Sequence, residues 1–250
     1  MNNFNFETLF GVEGKTALVT GSSQGMGKEI AKILADCGAT VWAHGSRMSE
    51  KLTAAAEYIG TDKIATADLT DKSAADTLYA QTGAVDILIL NASIQYKRQW
   101  DEYSDGEVYN QIQCNLTSSY YMMKKYTPDM KNKKWGRIIT LGSVNQYNNH
   151  PELSLYGVTK AAQMKLVQST AKALAPYGIT VNNIAPGAIS TPRNAHALSD
   201  PEFNQKVTDS IPMGYIGDPK DMNGAVLMLC GNAGSYITGS ETVIDGGMRL

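Results

Sequence analysis

Three polar residues in the second half of the chain have types and spacing that could move a proton. Tyr156 and Lys160 lie four residues apart, so on a helix they project from one face. A phenol has an ordinary pKa of about 10, but a nearby ammonium favours the phenolate and lowers that pKa. Ser143 follows the apolar run Arg137–Leu141 and could hydrogen-bond a substrate oxygen on which negative charge develops. This set predicts acid/base chemistry during hydride transfer, although Tyr and Lys at this spacing also occur on ordinary surface helices.

The stretch 14–38 has the pattern of a dinucleotide-binding turn, which would supply the hydride carrier. The run Thr16–Thr20 predicts a buried strand, three glycines follow, and apolar residues then recur at helical spacing. Gly21 allows a tight turn, Gly25 lets the backbone approach a pyrophosphate, and Gly27 lets the helix pack close to the sheet. The anion would lie on N–H groups at the helix N-terminus. Because the spacing is not the common G-x-G-x-x-G, an ordinary flexible turn is the alternative.

Predicted strands and helices alternate along the chain. The predicted strands are 16–20, 40–44, 64–67, 85–90, 137–141, 179–184 and 242–244. The predicted helices are 26–37, 49–59, 71–80, 102–126 with a stop at Pro128, 154–175, 201–209 and 219–229. This alternation predicts an α/β fold, a single doubly wound parallel sheet flanked by helices (Rossmann-type), over residues 1–250. Residues 1–13 are expected to form a leading arm, and the irregular segment 188–217 is expected to cover the substrate.

Composition excludes several classes of protein. The net charge of -2 gives no reason to expect nucleic acid or an anionic membrane as partner. The N-terminus does not have the pattern of a secretory signal, and no apolar run approaches the length of a membrane span. Cys37, Cys114 and Cys230 are scattered and not in metal spacing. We therefore expect reduced cysteines, no metal site and a cytoplasmic location.

The segment after the second predicted strand indicates the cofactor. A carboxylate that binds the NAD ribose is expected about 20 residues past the glycines, but no Asp or Glu occurs from Ala39 to Ser49. Ser46 and Arg47 lie there instead, and an Arg beside a hydroxyl suits a 2′-phosphate. The sequence predicts NADP(H), with NAD(H) possible if Arg47 is only a solvated loop residue.

Taken together, the motifs resemble those of the short-chain dehydrogenase/reductase family from end to end. The matching segments are TGSSQGMG at 20–27, LNAS at 90–93, Asn115, Ser143, YGVTK at 156–160, APG at 185–187 and DGG at 245–247. The resemblance implies that Tyr156 is the acid/base and that Ser143 orients the carbonyl. It also implies that Lys160 contacts the nicotinamide ribose and lowers the Tyr156 pKa, and that Asn115 holds a water in a proton relay.

The same resemblance, with the fold, gives the expected cofactor contacts and assembly. The predicted cofactor-binding residues are Gly21, Ser23, Gln24, Gly25, Met26, Gly27, Ser46, Arg47, Asp68, Leu69, Asn91, Ala92, Tyr156, Lys160, Pro186, Gly187 and Ile189. A homo-oligomer, tetramer or dimer, is expected. Two positions depart from the family pattern N-N-A-G, since Leu90 replaces the first Asn and Ser93 the Gly. Gln24 stands where NADP-preferring relatives often carry Arg or Lys, so the phosphate contact depends on Ser46 and Arg47.

The substrate is less defined by the sequence. The amide-rich loop after Ser143, with Asn145 and Gln146, suits hydroxyl-rich ligands, and Arg193 could take a carboxylate. We predict a small polar ketone and alcohol pair (sugar, polyol or sugar acid) that contacts Ser143, Asn145, Gln146 and Arg193. A 3-oxoacyl-thioester reductase is the alternative enzyme, and a non-catalytic NADP(H)-binding regulator is the alternative of another class.

Overall fold

The apolar runs of the sequence pair as seven parallel strands in the computed structural model, which describes residues 5–250. The strands are β1 Thr16–Val19, β2 Thr40–Gly45, β3 Ile64–Thr66, β4 Ile87–Leu90, β5 Gly136–Leu141, β6 Ile179–Pro186 and β7 Glu241–Ile244. Their order across the sheet is β3-β2-β1-β4-β5-β6-β7. The strands β2 and β3 are therefore added on one side of β1, and the strands from β4 onwards on its other side. Doubly wound folds bind ligands at this switch point between β1 and β4.

Helices connect the strands and cover both faces of the sheet. They are α1 Phe6–Phe10, α2 Gly25–Asp36, α3 Glu50–Ile59, α4 Ala74–Thr82, α5 Asp105–Ile112, α6 Ser118–Lys133, α7 Ser154–Leu174, α8 Ala195–Leu198, α9 Pro201–Asp209 and α10 Asn223–Cys230. A π-helical turn, Gln113–Thr117, joins α5 to α6, and a short 3-10 helix, Pro219–Met222, precedes α10. The predicted α/β fold with a parallel sheet is confirmed.

The core lies in two layers, one on each face of the sheet. On β4, Ile87 and Ile89 pack into one layer, while Leu88 and Leu90 pack into the other. All four side chains are buried, as expected for a strand covered on both faces. The first layer contains side chains of α2, α3 and α10, and the second contains side chains of α4, α6 and α7. The sheet is therefore held from both sides, which fixes where its strand ends lie.

Pro128 does not stop the helix predicted to end there, and this prediction was wrong. Pro128 lies inside α6, which continues to Lys133. Its ring is on the exposed face of the helix, whereas Tyr126 and Met130 beside it are fully buried. The cost of a proline inside a helix is about 3 kcal/mol. Burial of the apolar residues on the other face offsets that cost, because tertiary packing supplies most helix stability.

Three other segments differ from the prediction. Residues 1–4 of the expected arm lie outside the described residues, and Phe6–Phe10 of that arm forms a helix whose first turn is capped by Asn5. Ala195–Leu198 is helical although segment 188–200 was expected to be irregular. The helix predicted over 102–126 starts only at Asp105, where Ser104 and Glu107 form a capping box.

Gly27 packs α2 directly against the turn that follows β4. A Cβ atom built at Gly27 would lie 2.3 Å from Asn91 Nδ2 and 2.6 Å from the Gly21 carbonyl oxygen. At Gly224, in α10, a Cβ would meet no atom within 4 Å. The two glycines thus form a matched pair, because both are helical and only one is in close contact.

We expect Gly27→Ala to lower the free energy of unfolding by about 1–3 kcal/mol, because the helix must move away from the sheet. Gly224→Ala should leave it unchanged or raise it by up to about 1 kcal/mol, since alanine favours the helix. Urea unfolding followed by circular dichroism measures both. Equal effects of the two substitutions would contradict the close packing assigned to Gly27.

Candidate active site

The carboxyl ends of the strands open into one cavity of about 1060 Å³. Most of the residues predicted as site residues line it, and they come from distant parts of the sequence. The predicted residues that line the cavity are Gly21, Ser23, Gln24, Gly25, Met26, Gly27, Ser46, Asp68, Leu69, Asn91, Ala92, Ser143, Asn145, Tyr156, Pro186, Gly187, Ile189 and Arg193. Four predicted residues are not part of the lining: Arg47, Asn115, Gln146 and Lys160.

The glycine turn forms one end of the cavity and has the features of an anion site. Gly21 and Gly25 have φ values of 66° and 55°, in the left-handed region that glycine adopts readily. Gln24 is the N-cap of α2, and within the described residues its side chain caps none of the first N–H groups. The first turn contains no acidic residue. The helix N-terminus can therefore offer N–H donors and a favourable dipole to a phosphate group.

Thr20 and Asn91 join the end of β1 to the end of β4. The Thr20 hydroxyl donates to the Ile89 carbonyl at 3.1 Å and accepts from the N–H groups of Asn91 and Ala92 at 3.0 and 3.1 Å. The Asn91 amide donates to the Thr20 carbonyl at 2.8 Å and to the Gly21 carbonyl at 3.2 Å. Asn91 thus fixes the glycine turn, in addition to forming part of the cavity wall.

His44, which sequence reasoning missed, connects three segments beneath the same end of the cavity. Its Nδ1 accepts from the Gly21 N–H at 2.9 Å, and its Nε2 lies 3.1 Å from the Ala67 carbonyl oxygen. The Ser22 hydroxyl oxygen accepts from the His44 N–H at 2.8 Å. Since Nδ1 accepts, the proton lies on Nε2, and the ring is neutral. Burial lowers the pKa of His44 to about 4, which agrees with that tautomer.

The region expected to take a 2′-phosphate is only partly as predicted. Ser46 is exposed and lines the cavity, but Arg47, also exposed, does not. Lys51, in the first turn of α3, hydrogen-bonds the Gln24 side chain at the cavity wall. Lys51 could not be predicted from the sequence, because only the fold brings α3 beside the glycine turn.

Asp68 and Leu69 line the cavity at the end of β3, as predicted. Asp68 Oδ1 accepts from the N–H and the hydroxyl of Thr70 at 2.9 and 2.8 Å. This is an Asx turn, so one carboxylate oxygen already shapes the loop. Leu69 is buried and presents an apolar surface to the cavity.

Tyr156 and Ser143 meet at the other end of the cavity. Tyr156, at the start of α7, is 6% exposed, and Ser143, just after β5, is 8% exposed. The Ser143 hydroxyl accepts from the Asn145 N–H at 3.2 Å, which fixes the turn after the strand. Both side chains face the cavity. The structure therefore brings together the phenol and the hydroxyl that the sequence predicted as partners.

Lys160 is buried behind Tyr156, not exposed in the cavity. Its Nζ donates to the Leu141 carbonyl at 2.5 Å and to Gln163 Oε1 at 3.3 Å, and it lies 5.6 Å from the Tyr156 ring centroid. Burial, reinforced by the charge of Arg193, lowers the pKa of Lys160 to about 7. Burial therefore disfavours the charged form of this lysine.

The expected effect of Lys160 on the Tyr156 pKa stays a prediction, and the structure adds a second cation near the same phenol. Burial raises the pKa of Tyr156 above its ordinary value. The opposing influences are first the charge of Arg193 and then hydrogen bonds from Ser143, Ser93 and Arg193. The permanent cation that acts on the phenol is thus an arginine of the segment after β6. A lysine with a pKa near 7 is a weaker source of positive charge.

Asn115 lies in the π-helical turn and is fully buried. Its Oδ1 accepts from the Ile94 N–H at 2.9 Å, and its Nδ2 donates to the Ile94 carbonyl at 2.9 Å and to the Thr159 hydroxyl at 3.2 Å. These bonds occupy the side chain. The geometry supports a positioning role that ties the end of β4 to α7, and the expected water-holding role stays a prediction.

Gln146 was predicted to contact substrate, and the structure contradicts this. Its amide donates to Glu241 at the start of β7, and Asn183 Nδ2 donates to the same carboxylate oxygen at 2.6 Å. Asn183 in turn accepts from the Thr140 hydroxyl at 2.6 Å. Gln146 therefore anchors the loop after Ser143 to the sheet, because a partly buried carboxylate needs donors.

Arg193 extends from the segment after β6 and reaches the end of β4. Its Nη2 donates to the Ser93 carbonyl at 2.5 Å, and Nη1 and Nη2 both lie 3.1 Å from the Ser93 hydroxyl. The segment 188–217 contains α8 and α9, and Leu198, Phe203 and Lys206 from these helices line the cavity. This segment therefore forms one wall of the cavity.

Two structural searches cover residues 5–250 only. Within that range, no cluster of three or more His, Cys, Asp or Glu side chains could hold a metal ion. None of the helices described is both long and apolar enough to cross a membrane. Cys37, Cys114 and Cys230 are unpaired thiols in this part of the chain.

Comparison with known proteins gives consistent matches over nearly the whole chain. Residues 21–249 match the family model described as enoyl-(acyl carrier protein) reductase. The chain is 37% identical to a 3-oxoacyl-[acyl-carrier-protein] reductase of Haemophilus influenzae, over 96% of this chain and 100% of that protein.

Two solved structures show the same likeness. A 3-oxoacyl (acyl-carrier-protein) reductase from Agrobacterium tumefaciens with NADP bound superposes with a TM-score of 0.94, at 36% identity and 99% coverage of both chains. A gluconate 5-dehydrogenase from Burkholderia cenocepacia, in complex with NADP and tartrate, superposes with a TM-score of 0.89, at 28% identity and 98% coverage of both chains. The names of these similar proteins span two substrate classes.

The buried neutral imidazole of His44 predicts a pH dependence of stability. Between pH 6.5 and about 4 the unfolded chain binds a proton that the folded chain excludes. The free energy of unfolding should therefore fall as the pH is lowered through this window, by about 3 kcal/mol from this residue.

His44→Asn should flatten that slope, because an amide oxygen can accept from the Gly21 N–H and does not titrate. Urea unfolding of both proteins at several pH values between 4.5 and 7 measures this slope, because histidines titrate in that range. Parallel pH profiles for wild type and variant would show that His44 is not the titrating group.

Proposed function

This chain belongs to the short-chain dehydrogenase/reductase family, and from that premise we propose that it is an NADP(H)-dependent oxidoreductase for a small polar ketone and its alcohol. Its family places it among oxidoreductases that act on CH–OH and C=O groups. One observation carries the proposal. A single cavity has an uncapped helix N-terminus with left-handed glycines at one end and Tyr156 with Ser143 at the other.

The cavity residues fit a nicotinamide dinucleotide. The N–H groups at the start of α2 suit its pyrophosphate, and Asp68 and Leu69 form a wall for the adenine. When bound, the cofactor supplies a hydride donor or acceptor. The cavity wall formed by Pro186, Gly187 and Ile189 would lie along it.

Side chains of the protein transfer the proton and stabilise the charge that develops. In the reducing direction Tyr156 gives its hydroxyl proton to the substrate oxygen, and in the oxidising direction the phenolate takes it back. Ser143 donates a hydrogen bond to the same oxygen as negative charge develops. Lys160 and Arg193 stabilise the phenolate. Since burial raises the pKa of Tyr156, we expect oxidation of the alcohol to accelerate as the pH rises.

Three cationic or hydroxyl groups support the choice of NADP(H). Ser46 lines the cavity where a ribose 2′-phosphate would lie, and Lys51 contacts the Gln24 side chain at the edge of the same cavity. Arg47 is exposed next to them and could turn towards a phosphate. The two similar structures described above bind NADP. The residues proposed to contact the 2′-phosphate are therefore Ser46 and Arg47, as predicted from the sequence, together with Lys51.

The lining at the reacting end supports a hydroxyl-rich substrate. Asn145, Asn148 and Asn149 line the cavity beside Ser143, and amides can both donate to and accept from hydroxyl groups. Arg193 adds a cation at the same end. The segment 188–217, whose two helices face the cavity, would cover the substrate.

A 3-oxoacyl-thioester reductase is the second candidate, and the 37% identity to such a reductase favours it. Lys97 and Lys206 at the cavity mouth could also serve an acidic carrier. A non-catalytic regulator fits less well, because Ser143, Tyr156 and Lys160 are all present and correctly grouped.

We also propose a cytosolic homo-oligomer. Tyr109 and Ile112 of α5 and Tyr120 and Tyr121 of α6 are exposed on adjoining helices, and such faces are often covered by another subunit. Sedimentation equilibrium would test this, with a monomer as the contradicting result.

Tyr156→Phe should bind NADPH like wild type but lose turnover by about 100-fold or more, because the proton donor is removed. The assay is NADPH oxidation with a panel of keto sugars, keto acids and acetoacetyl thioesters. Turnover of the polar ketones supports the proposed substrates, whereas turnover of the thioester alone supports the second candidate. Undiminished turnover by the variant would exclude the acid/base role.

Lys51→Met and Arg47→Met should each weaken NADPH binding by about tenfold, or about 1.4 kcal/mol, and leave NADH binding nearly unchanged. Fluorescence titration of the reduced cofactors measures both affinities. Lys72→Met is the matched control, since Lys72 is exposed and does not line the cavity. Equal losses for NADPH and NADH would rule out a contact with the 2′-phosphate.

A further inference from the structure

Arg193 and Ser93 form a contact at the reacting end of the cavity. Both Arg193 terminal nitrogens reach Ser93, at distances of 2.5 to 3.1 Å from its carbonyl and hydroxyl oxygens. Ser93 is the residue that replaces the family's glycine in N-N-A-G, so an atypical side chain holds this guanidinium. A guanidinium has five N–H donors, more than one serine can use.

The charge of Arg193 is not matched by a carboxylate of the described chain. At the same end of the sheet, Lys97 pairs with Glu152 at 3.0 Å, and Arg98 pairs with Glu107 at 2.7 Å. The ion pairs found among residues 5–250 do not include Arg193. Arg193 is also exposed into the cavity, so a ligand can reach it.

The position of Arg193 relative to the reacting atoms limits what it can bind. Its charge lowers the pKa of Tyr156. Its partner Ser93 precedes Ile94, which Asn115 ties to Thr159 of α7, one turn from Tyr156. The segment just before Arg193 also reaches the start of α2, because a Cβ atom at Gly25 would lie 3.5 Å from Thr191. The N–H groups of that helix N-terminus suit the cofactor pyrophosphate without Arg193. We therefore assign an anion on Arg193 to the substrate.

We propose that Arg193, oriented by Ser93, binds a carboxylate of the substrate. The polar ketone is then an oxo acid, and its alcohol is a hydroxy acid. The planar guanidinium suits bidentate binding of a carboxylate, and the amides of Asn145, Asn148 and Asn149 suit the remaining hydroxyl groups. This assignment rests on the proposed function and narrows its substrate class.

The test compares ligands that differ only in the carboxylate. Gluconate and glucitol have the same carbon chain, and so do threonate and threitol. Binding of each to the enzyme–NADP⁺ complex is measured by calorimetry, together with kcat/KM for oxidation. We expect wild type to favour the acid of each pair by about tenfold or more, and Arg193→Met to abolish that preference. Arg193→Lys should restore part of it, because the charge returns without the bidentate geometry.

Arg98→Met is the matched control, because Arg98 is exposed and lies outside the cavity lining. It should retain the preference for acids. Ser93→Gly should weaken acid binding without removing the preference, since only the orientation of the guanidinium is lost. Protein melting curves recorded in parallel show whether each variant is folded.

Three results would overturn the assignment. These are that wild type binds acids no better than alditols, that the preference survives in Arg193→Met, and that it disappears in Lys206→Met. If Arg193→Met loses as much affinity for NADP⁺ as for acids, Arg193 binds the cofactor instead of the substrate. If neutral sugars are turned over while acids gain nothing, only the carboxylate contact fails. If thioesters alone are turned over, the proposed function itself fails.

Discussion

A buried lysine bonded to the end of a central strand is the interaction on which the site depends. Lys160 reaches from α7 to the Leu141 carbonyl and to Gln163, and it is 1% exposed. Burial, together with the charge of Arg193, lowers the pKa of Lys160 to about 7, which disfavours the charged form by about 5 kcal/mol. The fold accepts this cost, and in return α7 is fixed against β5, with Tyr156 held at the strand end next to Ser143.

The two cations that act on Tyr156 lie on different parts of the structure. Lys160 lies on a long helix packed on the sheet, whereas Arg193 lies in the segment that covers the cavity. The charge of Arg193 lowers the pKa of both Tyr156 and Lys160. Placement of this segment therefore affects the proton affinity of the phenol. A substrate carboxylate on Arg193 would reduce that influence.

The sequence was most informative where one residue type has one physical use. The glycines at 21 and 25 have the left-handed conformations that the turn requires, and the run at Ile87–Leu90 is buried on both faces as its composition predicts. Tyr156 and Ser143 could be predicted because their spacing to strand ends places them at one edge of the sheet.

The sequence was least informative where tertiary contacts decide the role of a residue. Gln146 and Asn145 are adjacent amides, but only the position of Glu241, 95 residues further on, shows that Gln146 is structural. Pro128 is tolerated because the opposite face of its helix is buried. His44 carries no motif, and its partners Gly21 and Ala67 are each 23 residues away, on either side of it in the chain.

The central claim is that one cavity places the Tyr156 hydroxyl beside a hydride carrier bound at the glycine turn. A crystal structure of the complex with NADP⁺ and a bound alcohol or oxo acid measures this directly. We predict that the pyrophosphate lies on the start of α2, and that the Tyr156 hydroxyl is within about 3 Å of the substrate oxygen, with nicotinamide C4 facing the same carbon. A nicotinamide ring on the far side of the cavity from Tyr156, with no substrate atom between them, would contradict the account.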